Sequence, residues 1–307
     1  MSSKLISRLA PTPSGYLHFG NAFNFLLTYL LINFHEGILH LRIDDLDGPR
    51  VDHKSVEDIF FQLEWLGIDY HLGPTGPDEL YSKFSQQLRK DRYFNAIEIL
   101  NEAGYLFACE CTRSKIRNSS KSKIYPGTCI NKNINFMNDN QTWRGIVPEN
   151  TFVYYNTLTN NKKEIDLRNR VGNFVVRRRD GLPAYQIASL IDDLEMRVNL
   201  IVRGYDLIPS TGAQILLAEY LKDSFFSSAH FVHHKLMKNE SGNKLSKSSR
   251  DHSLKLLRDK NKSPAIIYQQ CAYILDLSFE DIHTLKDLIE VFGVEMTKRN
   301  KMIILND

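Results

Sequence analysis

The start of the chain alternates short apolar runs with a helical pattern, and this alternation restricts its fold more than any other feature. Residues 4–10 predict a short strand, residues 21–34 an apolar helix and residues 38–43 a second strand. A turn rich in proline, serine and glycine, residues 11–15, joins the first strand to the helix. This order predicts an α/β fold with a parallel sheet, in which ligands bind beyond the carboxyl ends of the strands.

The rest of the chain divides by a change in character. Helical spacing predicts helices over residues 55–66 and 81–103, and two more near the end over residues 265–274 and 282–292. Cysteines, basic residues, an asparagine-rich loop and short alternating strands interrupt the pattern in between. We therefore expect four segments: the first half of an α/β domain (1–104), an insert (105–168), the second half (169–226) and a loop with a helical C-terminal region (227–307).

Composition excludes several classes of protein. Of 307 residues, 42% are hydrophobic and 24% are charged, as in ordinary soluble enzymes, and the net charge is only +3. No run of about 18 apolar residues predicts a membrane span. Four cysteines, three of them clustered, indicate a reducing compartment. We expect a cytoplasmic monomer with no membrane partner.

Two short motifs contain residues that could bind the phosphates of a nucleotide. Residues 11–21, PTPSGYLHFGN, place a histidine and a glycine where a turn leads into a helix, and residues 244–248 read KLSKS. An imidazole and a helix N-terminus can stabilise charge that develops on a phosphate, and a lysine ammonium can follow a leaving pyrophosphate. Together they predict an ATP site that activates a carboxylate. Taken alone, His18 could be a buried structural histidine and the lysines could belong to a solvated loop.

Three cysteines form a potential metal site. Cys109 and Cys111 are spaced as C-x-C, and Cys129 follows on a separate turn. Thiolates are good zinc ligands, but three of them leave a tetrahedral ion one ligand short. Zinc binding and a set of three buried free thiols therefore both remain open from the residues alone.

Five ordered blocks of sequence identify a family resemblance. They are Arg8–Asn21, Leu41–Asp47, Arg178–Tyr185, Val202–Leu207 and Lys244–Lys247. With these blocks the chain resembles the class I aminoacyl-tRNA synthetases of the glutamyl type. The resemblance implies a Rossmann-type catalytic domain that uses ATP with Mg²⁺ to activate glutamate. Only about 60 residues follow the lysine motif, too few for a helical anticodon-binding region. That points to the short members of the family, which attach glutamate to the queuosine base of tRNA(Asp).

The resemblance also implies individual roles. For ATP binding and catalysis it implies His18, Gly20, Asn21, Lys244 and Lys247. For glutamate binding it implies Arg8, Ala10, Thr12, Asp44, Tyr185 and Arg203. Tyr125 would be the fourth ligand of a structural zinc. The family usually has glutamate at the position of Asp44, so the carboxylate that meets the α-ammonium is one methylene shorter here. The alternative for Arg8, Asp44 and Arg203 is an internal ion-pair network.

Two alternative functions remain open at this level. One is a reduced glutamyl-tRNA synthetase that charges a tRNA 3′ end or another acceptor, and the other is a non-catalytic RNA-binding module. The presence of His18 and Lys247 argues against the second.

A basic run contains Arg113, Lys115, Arg117, Lys121 and Lys123. It is either a solvated loop or a surface for nucleic-acid phosphate. The triplet Arg177–Arg179 could contact tRNA in the same way, although at least one member is expected to pair with a nearby acid such as Asp180.

Overall fold

The computed structural model describes residues 4–48, 51–119, 124–137, 140–159, 161–235 and 253–299. The strands are β1 (Ile6–Leu9), β2 (Ile38–Leu41), β3 (Leu106–Cys109), β4 (Thr142–Gly145), β5 (Phe152–Thr157), β6 (Lys162–Asp166), β7 (Val175–Arg177), β8 (Leu200–Gly204) and β9 (His230–His234). The helices are α1 (Phe19–Phe34), α2 (His53–Trp65), α3 (Pro77–Glu79), α4 (Lys90–Glu102), α5 (Arg113–Ser119), α6 (Leu167–Arg170), α7 (Tyr185–Glu195), α8 (Ile208–Tyr220), α9 (Ser224–Ser228), α10 (Leu254–Asp259), α11 (Ala265–Ile274) and α12 (Leu285–Arg299).

The first of two compact units is assembled from three stretches of chain: Met1–Leu88, Asn199–Tyr205 and Phe231–Asp307. Strands β1 and β2 pair in parallel, as the sequence predicts. The start of β8 lies against β1, where Ser7 Oγ donates to the Leu200 carbonyl at 2.7 Å and the Ile6 N–H donates to Asn199 Oδ1 at 2.7 Å. Helix α1 is apolar around most of its circumference and supplies much of this unit's core.

The second unit comprises Arg89–Val198 and Asp206–His230. It contains all of residues 105–168, the stretch predicted as an insert. Strands β3, β4 and β7 form an antiparallel sheet, with Cys109 opposite Thr142, and β5 and β6 form an antiparallel hairpin. Helices α4, α7 and α8 belong to the same unit. None of the described helices combines the length and apolar character that a bilayer crossing requires.

The predicted helix over residues 81–103 is wrong in its first third. A π-helical turn, Leu80–Phe84, ends at the extended residue Ser85, a short 3₁₀ segment follows, and α4 begins only at Lys90. No glycine or proline marks this break. Its cause is a long-range contact, because Ser85 Oγ donates to Asp45 Oδ2 at 2.6 Å and the Gln86 N–H donates to Asp45 Oδ1 at 2.7 Å.

Candidate active site and metal centre

Helix α1 begins at the histidine of the first motif. His18 is the N-cap residue with an extended backbone, and its N–H donates to Asn21 Oδ1 at 3.0 Å. The Asn21 N–H in turn donates to the His18 carbonyl at 2.9 Å. The asparagine of the motif therefore fixes the first turn of the helix. The N–H groups at the start of a helix attract anions.

Gly20 leaves the space that the imidazole occupies. A Cβ added at Gly20 would lie 2.9 Å from His18 Cε1 and 3.1 Å from His18 Nδ1. The ring therefore folds back over the glycine, and a larger residue there would displace it. The spacing His-x-Gly is thus a steric requirement of this turn.

The chain returns to this turn after the lysine motif. The Leu254 N–H donates to the Leu17 carbonyl at 2.9 Å, and Ser253 forms an antiparallel bridge with His18. Lys244 and Lys247, the proposed catalytic lysines, lie outside the described residues. Ser253, which is six positions after Lys247 in the sequence, is the first described residue after the motif and already lies against His18.

Two buried guanidinium groups lie on neighbouring strands. Arg8 on β1 is 5% exposed and Arg203 on β8 is 3% exposed, and the Arg203 guanidinium lies 5.3 Å from the centroid of the Phe231 ring. Ala10 and Thr12 follow β1 in the same unit. Tyr185 belongs to the second unit, where it is the first residue of α7. Buried arginines suit bidentate binding of a carboxylate, which is the chemistry predicted for them.

Asp44 has a partner that the sequence did not reveal. Arg42 holds it bidentately, with Nε 2.6 Å from Oδ1 and Nη2 3.3 Å from Oδ2, and both side chains are buried. The two residues are two apart beyond a strand, a spacing that places side chains on one face. The carboxylate predicted to receive an α-ammonium therefore already carries an internal cation.

Sequence reasoning missed the polar segment that supports this carboxylate. The side-chain amide of Gln86 contacts both residues 44 and 46. Its Nε2 donates to Asp44 Oδ1 at 3.4 Å, and its Oε1 accepts the Leu46 N–H at 3.0 Å. Gln87 donates to the carbonyls of Asp45 and Leu46 at 2.9 and 2.7 Å. Nothing local in the sequence signals these contacts, because the two segments are about 40 residues apart.

A buried histidine adjoins the same strands. His233 on β9 is 7% exposed. Burial, together with the nearby charge of Arg203, lowers the pKa of His233 to about 3. The imidazole is therefore neutral at physiological pH and adds no second positive charge beside Arg203.

The three clustered cysteines come together in the second unit. The Sγ atoms of Cys109, Cys111 and Cys129 all lie within 4.8 Å of one another, and those of Cys111 and Cys129 are 3.6 Å apart. Four ligands at a zinc–sulfur distance of 2.3 Å place sulfur atoms about 3.8 Å apart. The donor set therefore fits a tetrahedral soft metal ion.

Tyr125 lies where a fourth ligand would be needed. Its Oη is 3.3 Å from Cys109 Sγ and accepts the Cys129 N–H at 2.8 Å. The Arg144 guanidinium stacks 4.0 Å from the centre of the Tyr125 ring. A cation over the ring and a donor on the oxygen both favour a phenolate, so this tyrosine is suited to a metal.

Two of the four groups hold their protons more strongly than usual. Burial, reinforced by the hydrogen bond with Cys129, raises the pKa of Cys111 to about 11, and burial also raises the pKa of Tyr125. At Cys129 the effect of burial is outweighed by hydrogen bonds, that of Tyr125 first, which lower the pKa of the thiol. Ligand binding to a metal requires the deprotonated forms, so an ion would have to displace these protons.

The basic triplet is engaged within the second unit. Arg178 pairs with Asp180, as expected for at least one member. Arg179 Nη2 donates to the Glu110 carbonyl at 2.7 Å, and the Arg177 guanidinium lies 4.7 Å from the centre of a Trp143 ring. The triplet therefore braces the β7 turn against the cysteine loop.

The fold and the site define a class of protein. The family of class I tRNA synthetases (E and Q), catalytic domain, matches residues 4–304, and the chain belongs to this family of ligases. The chain also resembles a glutamate-tRNA synthetase structure from Elizabethkingia anophelis, with a TM-score of 0.75 and 24% identity. That likeness covers 95% of this chain and 66% of the other, so the chain spans about two thirds of its length.

Two relatives with glutamate-related names are similar to this chain. The chain is 36% identical over 248 residues to a glutamyl-Q tRNA(Asp) synthetase of Aromatoleum aromaticum, covering 80% of this chain and 74% of the relative. It is 27% identical over 321 residues to glutamate--tRNA ligase 2 of Syntrophus aciditrophicus, covering all of this chain and 65% of that ligase. The predicted Rossmann-type synthetase fold is thereby confirmed.

Proposed function

We propose that this chain uses ATP to convert glutamate into glutamyl-adenylate and transfers the glutamyl group to the queuosine base of tRNA(Asp). The observation that carries the proposal is the 36% identity to a glutamyl-Q tRNA(Asp) synthetase over most of both chains. The site geometry agrees with the first step, since a helix N-terminus and two buried arginines occur in one unit.

The residues divide the work as follows. Arg8 and Arg203 bind the side-chain carboxylate of glutamate, and Asp44 receives its α-ammonium. Ala10, Thr12 and Tyr185 line the amino acid. The Arg42–Asp44 pair supports this division, because it holds the short carboxylate in one orientation.

The start of α1 binds ATP. The glutamate carboxylate attacks the α-phosphorus, pyrophosphate leaves, and negative charge grows on the phosphate during the step. The His18 ring and the start of α1, where Gly20 leaves room for the ring and Asn21 fixes the first turn, stabilise that charge, and little reorganisation is needed because the turn is already fixed. Lys244 and Lys247 then stabilise the departing pyrophosphate. Mg²⁺ enters the site together with ATP.

The cysteine cluster holds one structural zinc ion in this proposal. Cys109, Cys111, Cys129 and Tyr125 would complete a closed tetrahedral site, which leaves no position for a substrate. The ion would supply folding energy to the second unit and would take no part in activation.

The proposal is tested by charging purified tRNA(Asp), with and without queuosine, with labelled glutamate. Glutamate should be incorporated only into the queuosine-containing tRNA. Pyrophosphate exchange with glutamate and ATP alone should proceed without any tRNA. Incorporation into tRNA(Asp) regardless of queuosine, or none into either, would contradict the acceptor assignment.

The role of Lys247 has its own test. Lys247→Ala should lower the exchange rate about 100-fold, a loss of roughly 3 kcal/mol of transition-state stabilisation, with little change in KM for glutamate. Near-normal exchange would remove this lysine from the mechanism.

A second function is favoured by one observation. The alignment with a glutamate--tRNA ligase extends over the whole of this chain at 27% identity. A reduced glutamyl-tRNA synthetase would charge the 3′ end of tRNA(Glu) and would show exchange only when tRNA(Glu) is added. The same exchange assay, run with and without tRNA(Glu), separates the two functions.

A further inference from the structure

Asp45 follows Asp44 in the sequence, but its side chain contacts a segment about 40 residues later. The carboxylate is buried, its Oδ2 accepts the Ser85 hydroxyl at 2.6 Å and its Oδ1 accepts the Gln86 N–H at 2.7 Å. Hydrogen bonds to an ionised carboxylate at these lengths are stronger than those between neutral groups. Asp45 therefore fixes the backbone of residues 85 and 86 beside the end of β2.

Gln87 holds the same segment through the main chain. Its Nε2 donates to the carbonyls of Asp45 and Leu46 at 2.9 and 2.7 Å, and its own N–H donates to Ser85 Oγ at 3.1 Å. We call residues 85–87 the clamp segment. Both the side chain of Asp45 and the main chain of residues 45 and 46 bind the clamp segment. It therefore cannot shift relative to the end of β2 unless several hydrogen bonds break.

Gln86 is the member of the clamp segment that contacts Asp44. Its side chain is buried, its Oε1 accepts the Leu46 N–H at 3.0 Å and its Nε2 donates to Asp44 Oδ1 at 3.4 Å. The contact with Leu46 determines the orientation of the amide. If the nitrogen and oxygen were exchanged, a donor would face the Leu46 N–H and an acceptor would face the Asp44 carboxylate. The donor end of the amide therefore faces the carboxylate.

Arg42 and Gln86 approach one oxygen of Asp44 from different parts of the chain. Arg42 Nε lies 2.6 Å from Oδ1, and Gln86 Nε2 lies 3.4 Å from the same atom. All three side chains are buried. Arg42 supplies a charge, whereas Gln86 supplies a neutral donor at a longer distance. The carboxylate is therefore oriented by a buried cation just after β2 and by the clamp segment.

We infer that Gln86 is a positioning residue for the amino-acid substrate and that Asp45 acts through it. Gln86, together with Arg42, orients the Asp44 carboxylate toward the α-ammonium of glutamate, and Asp45 holds Gln86 in place. This role rests on the proposed function, which assigns the α-ammonium to Asp44. A binding group must be held within about 0.5 Å of its productive position, and this requires support from residues that do not touch the substrate.

Only the ammonium end of the glutamate site depends on this support. Arg8 and Arg203 bind the side-chain carboxylate from other strands, β1 and β8. A ligand that has both carboxylates of glutamate but lacks its ammonium should therefore bind independently of Gln86. Glutarate is such a ligand.

The test compares the same substitution at two buried glutamines of the first unit. Gln86→Met removes the amide beside Asp44. Gln62→Met is the matched control, because the Gln62 Nε2 donates to another buried aspartate, Asp58, at 3.0 Å. ATP–pyrophosphate exchange gives kcat and the KM for glutamate, and competition in the same assay gives the Ki for glutarate. Urea denaturation of both variants measures what each substitution costs in stability.

Gln86→Met should raise the KM for glutamate about tenfold, the effect of one lost hydrogen bond to a charged group, while kcat changes little. Its Ki for glutarate should equal the parent's. Gln62→Met should match the parent in all three constants even if it is less stable. An unchanged KM in Gln86→Met, an equal rise in Gln62→Met, or a Ki for glutarate that rises as much as the KM would overturn the inference, since the last result indicates general damage to the site.

Two milder variants test the link between Asp45 and Gln86. Asp45→Asn removes the charge that holds the clamp segment, and Ser85→Ala removes one of its hydrogen bonds. Each should raise the KM for glutamate about threefold without changing the Ki for glutarate, and this result is required even if Gln86→Met does not fold. Combined with Gln86→Met, neither should raise the KM further, because residues that act through one contact are not additive. A full additional rise would show that Asp45 acts independently of Gln86.

Exchange by the parent separates this inference from the proposed function. A parent that shows no glutamate-dependent exchange contradicts the proposed activation, and with it the role of Gln86. A parent that exchanges normally, together with a Gln86→Met variant of unchanged KM, contradicts only the positioning role.

Discussion

The end of β2 and the cysteine cluster both bury polar groups, but they satisfy them in different ways. At the end of β2, Asp44 is held by Arg42, and Asp45 accepts from Ser85 and Gln86. In the cysteine cluster the thiols and the Tyr125 oxygen mainly face one another. The first region is complete within the chain, whereas the second collects ligand atoms that only an added ion can use together. A buried ion pair is satisfied by groups of the chain itself, whereas a buried cluster of thiols around one point indicates a metal ion to be bound.

Removing a cysteine should have the largest effect of the changes considered, because it takes away one of the ligands around which the cysteine cluster is arranged. Cys129→Ser should abolish zinc binding, since structural zinc sites contribute on the order of 10–16 kcal/mol and a serine hydroxyl is a poor ligand. Metal analysis should show about one zinc per chain in the parent and almost none in the variant. Hydrogen exchange should accelerate around β3 and α5 but stay unchanged in β1 and β2. A parent purified without chelator that contains no zinc would contradict the site.

Breaking the internally complete region should cost stability without any metal. Asp44→Asn leaves the buried Arg42 guanidinium without its charged partner, so the free energy of unfolding should fall by about 3–5 kcal/mol. Urea denaturation measures this loss, and the KM for glutamate in the exchange assay should rise as well.

Asp44→Glu is the matched control. It retains the charge and restores the residue that the synthetase family usually has, so both stability and glutamate binding should stay near the parent's. If Asp44→Asn is as stable as the parent and its KM for glutamate is unchanged, the Arg42–Asp44 pair does not stabilise the end of β2 and Asp44 does not bind glutamate.

A smaller change tests whether Tyr125 is a zinc ligand of the cluster. Tyr125→Phe removes the oxygen near Cys109 but keeps the three thiols, so zinc should bind about 10- to 100-fold more weakly and not be lost. Competition with a chromogenic chelator gives the affinity. Tyr268→Phe is a suitable control, because it removes another buried phenol oxygen, one that donates to the Leu66 carbonyl and belongs to the first unit, whereas the cysteine cluster belongs to the second. Equal zinc affinity in Tyr125→Phe and the parent would assign the fourth ligand elsewhere.

The smallest expected effect concerns pH. The pKa of His233 is lowered to about 3 in the folded chain, whereas an unfolded histidine titrates near 6.5. Between these values the unfolded chain binds the extra proton, so this residue's contribution to stability is present above pH 6.5 and is lost as the pH falls toward 3. The loss should reach about 1 kcal/mol per pH unit near pH 5. Urea unfolding at pH 7, 6 and 5 should show a shallower decline for His233→Asn, and equal slopes would contradict the buried neutral state.

The fold was predictable where the signal is local. The helix over residues 265–274 matches α11, and residues 55–66 cover most of α2, because periodic apolar residues determine both. The parallel pairing of β1 and β2 follows from their order around an apolar helix. The cysteine cluster was predictable from its ligand chemistry, whereas Tyr125 as a fourth ligand stays a prediction from the family resemblance.

Contacts between distant residues were not predictable. The break before α4 has no glycine or proline to mark it, because Asp45 causes it from 40 positions away. The Arg42–Asp44 pair is local but was also missed, since the sequence offers Asp44 several cations and only the backbone geometry selects one. The position of the lysine motif stays a prediction, as Lys244 and Lys247 lie outside the described residues.

The discontinuous construction of the first unit has a consequence for synthesis of the chain. Ser7 makes its hydrogen bond with Leu200, 193 residues later. At about 5–20 residues per second, roughly 10–40 s separate the emergence of these two residues from the ribosome. Throughout that interval β1 can pair with β2 but lacks its contact with β8, and the apolar helix α1 lacks part of its cover. The second unit, most of which is one continuous stretch, can complete its contacts first. The nascent chain is therefore exposed to aggregation at its N-terminal end, and chaperone binding there during translation is the expected remedy.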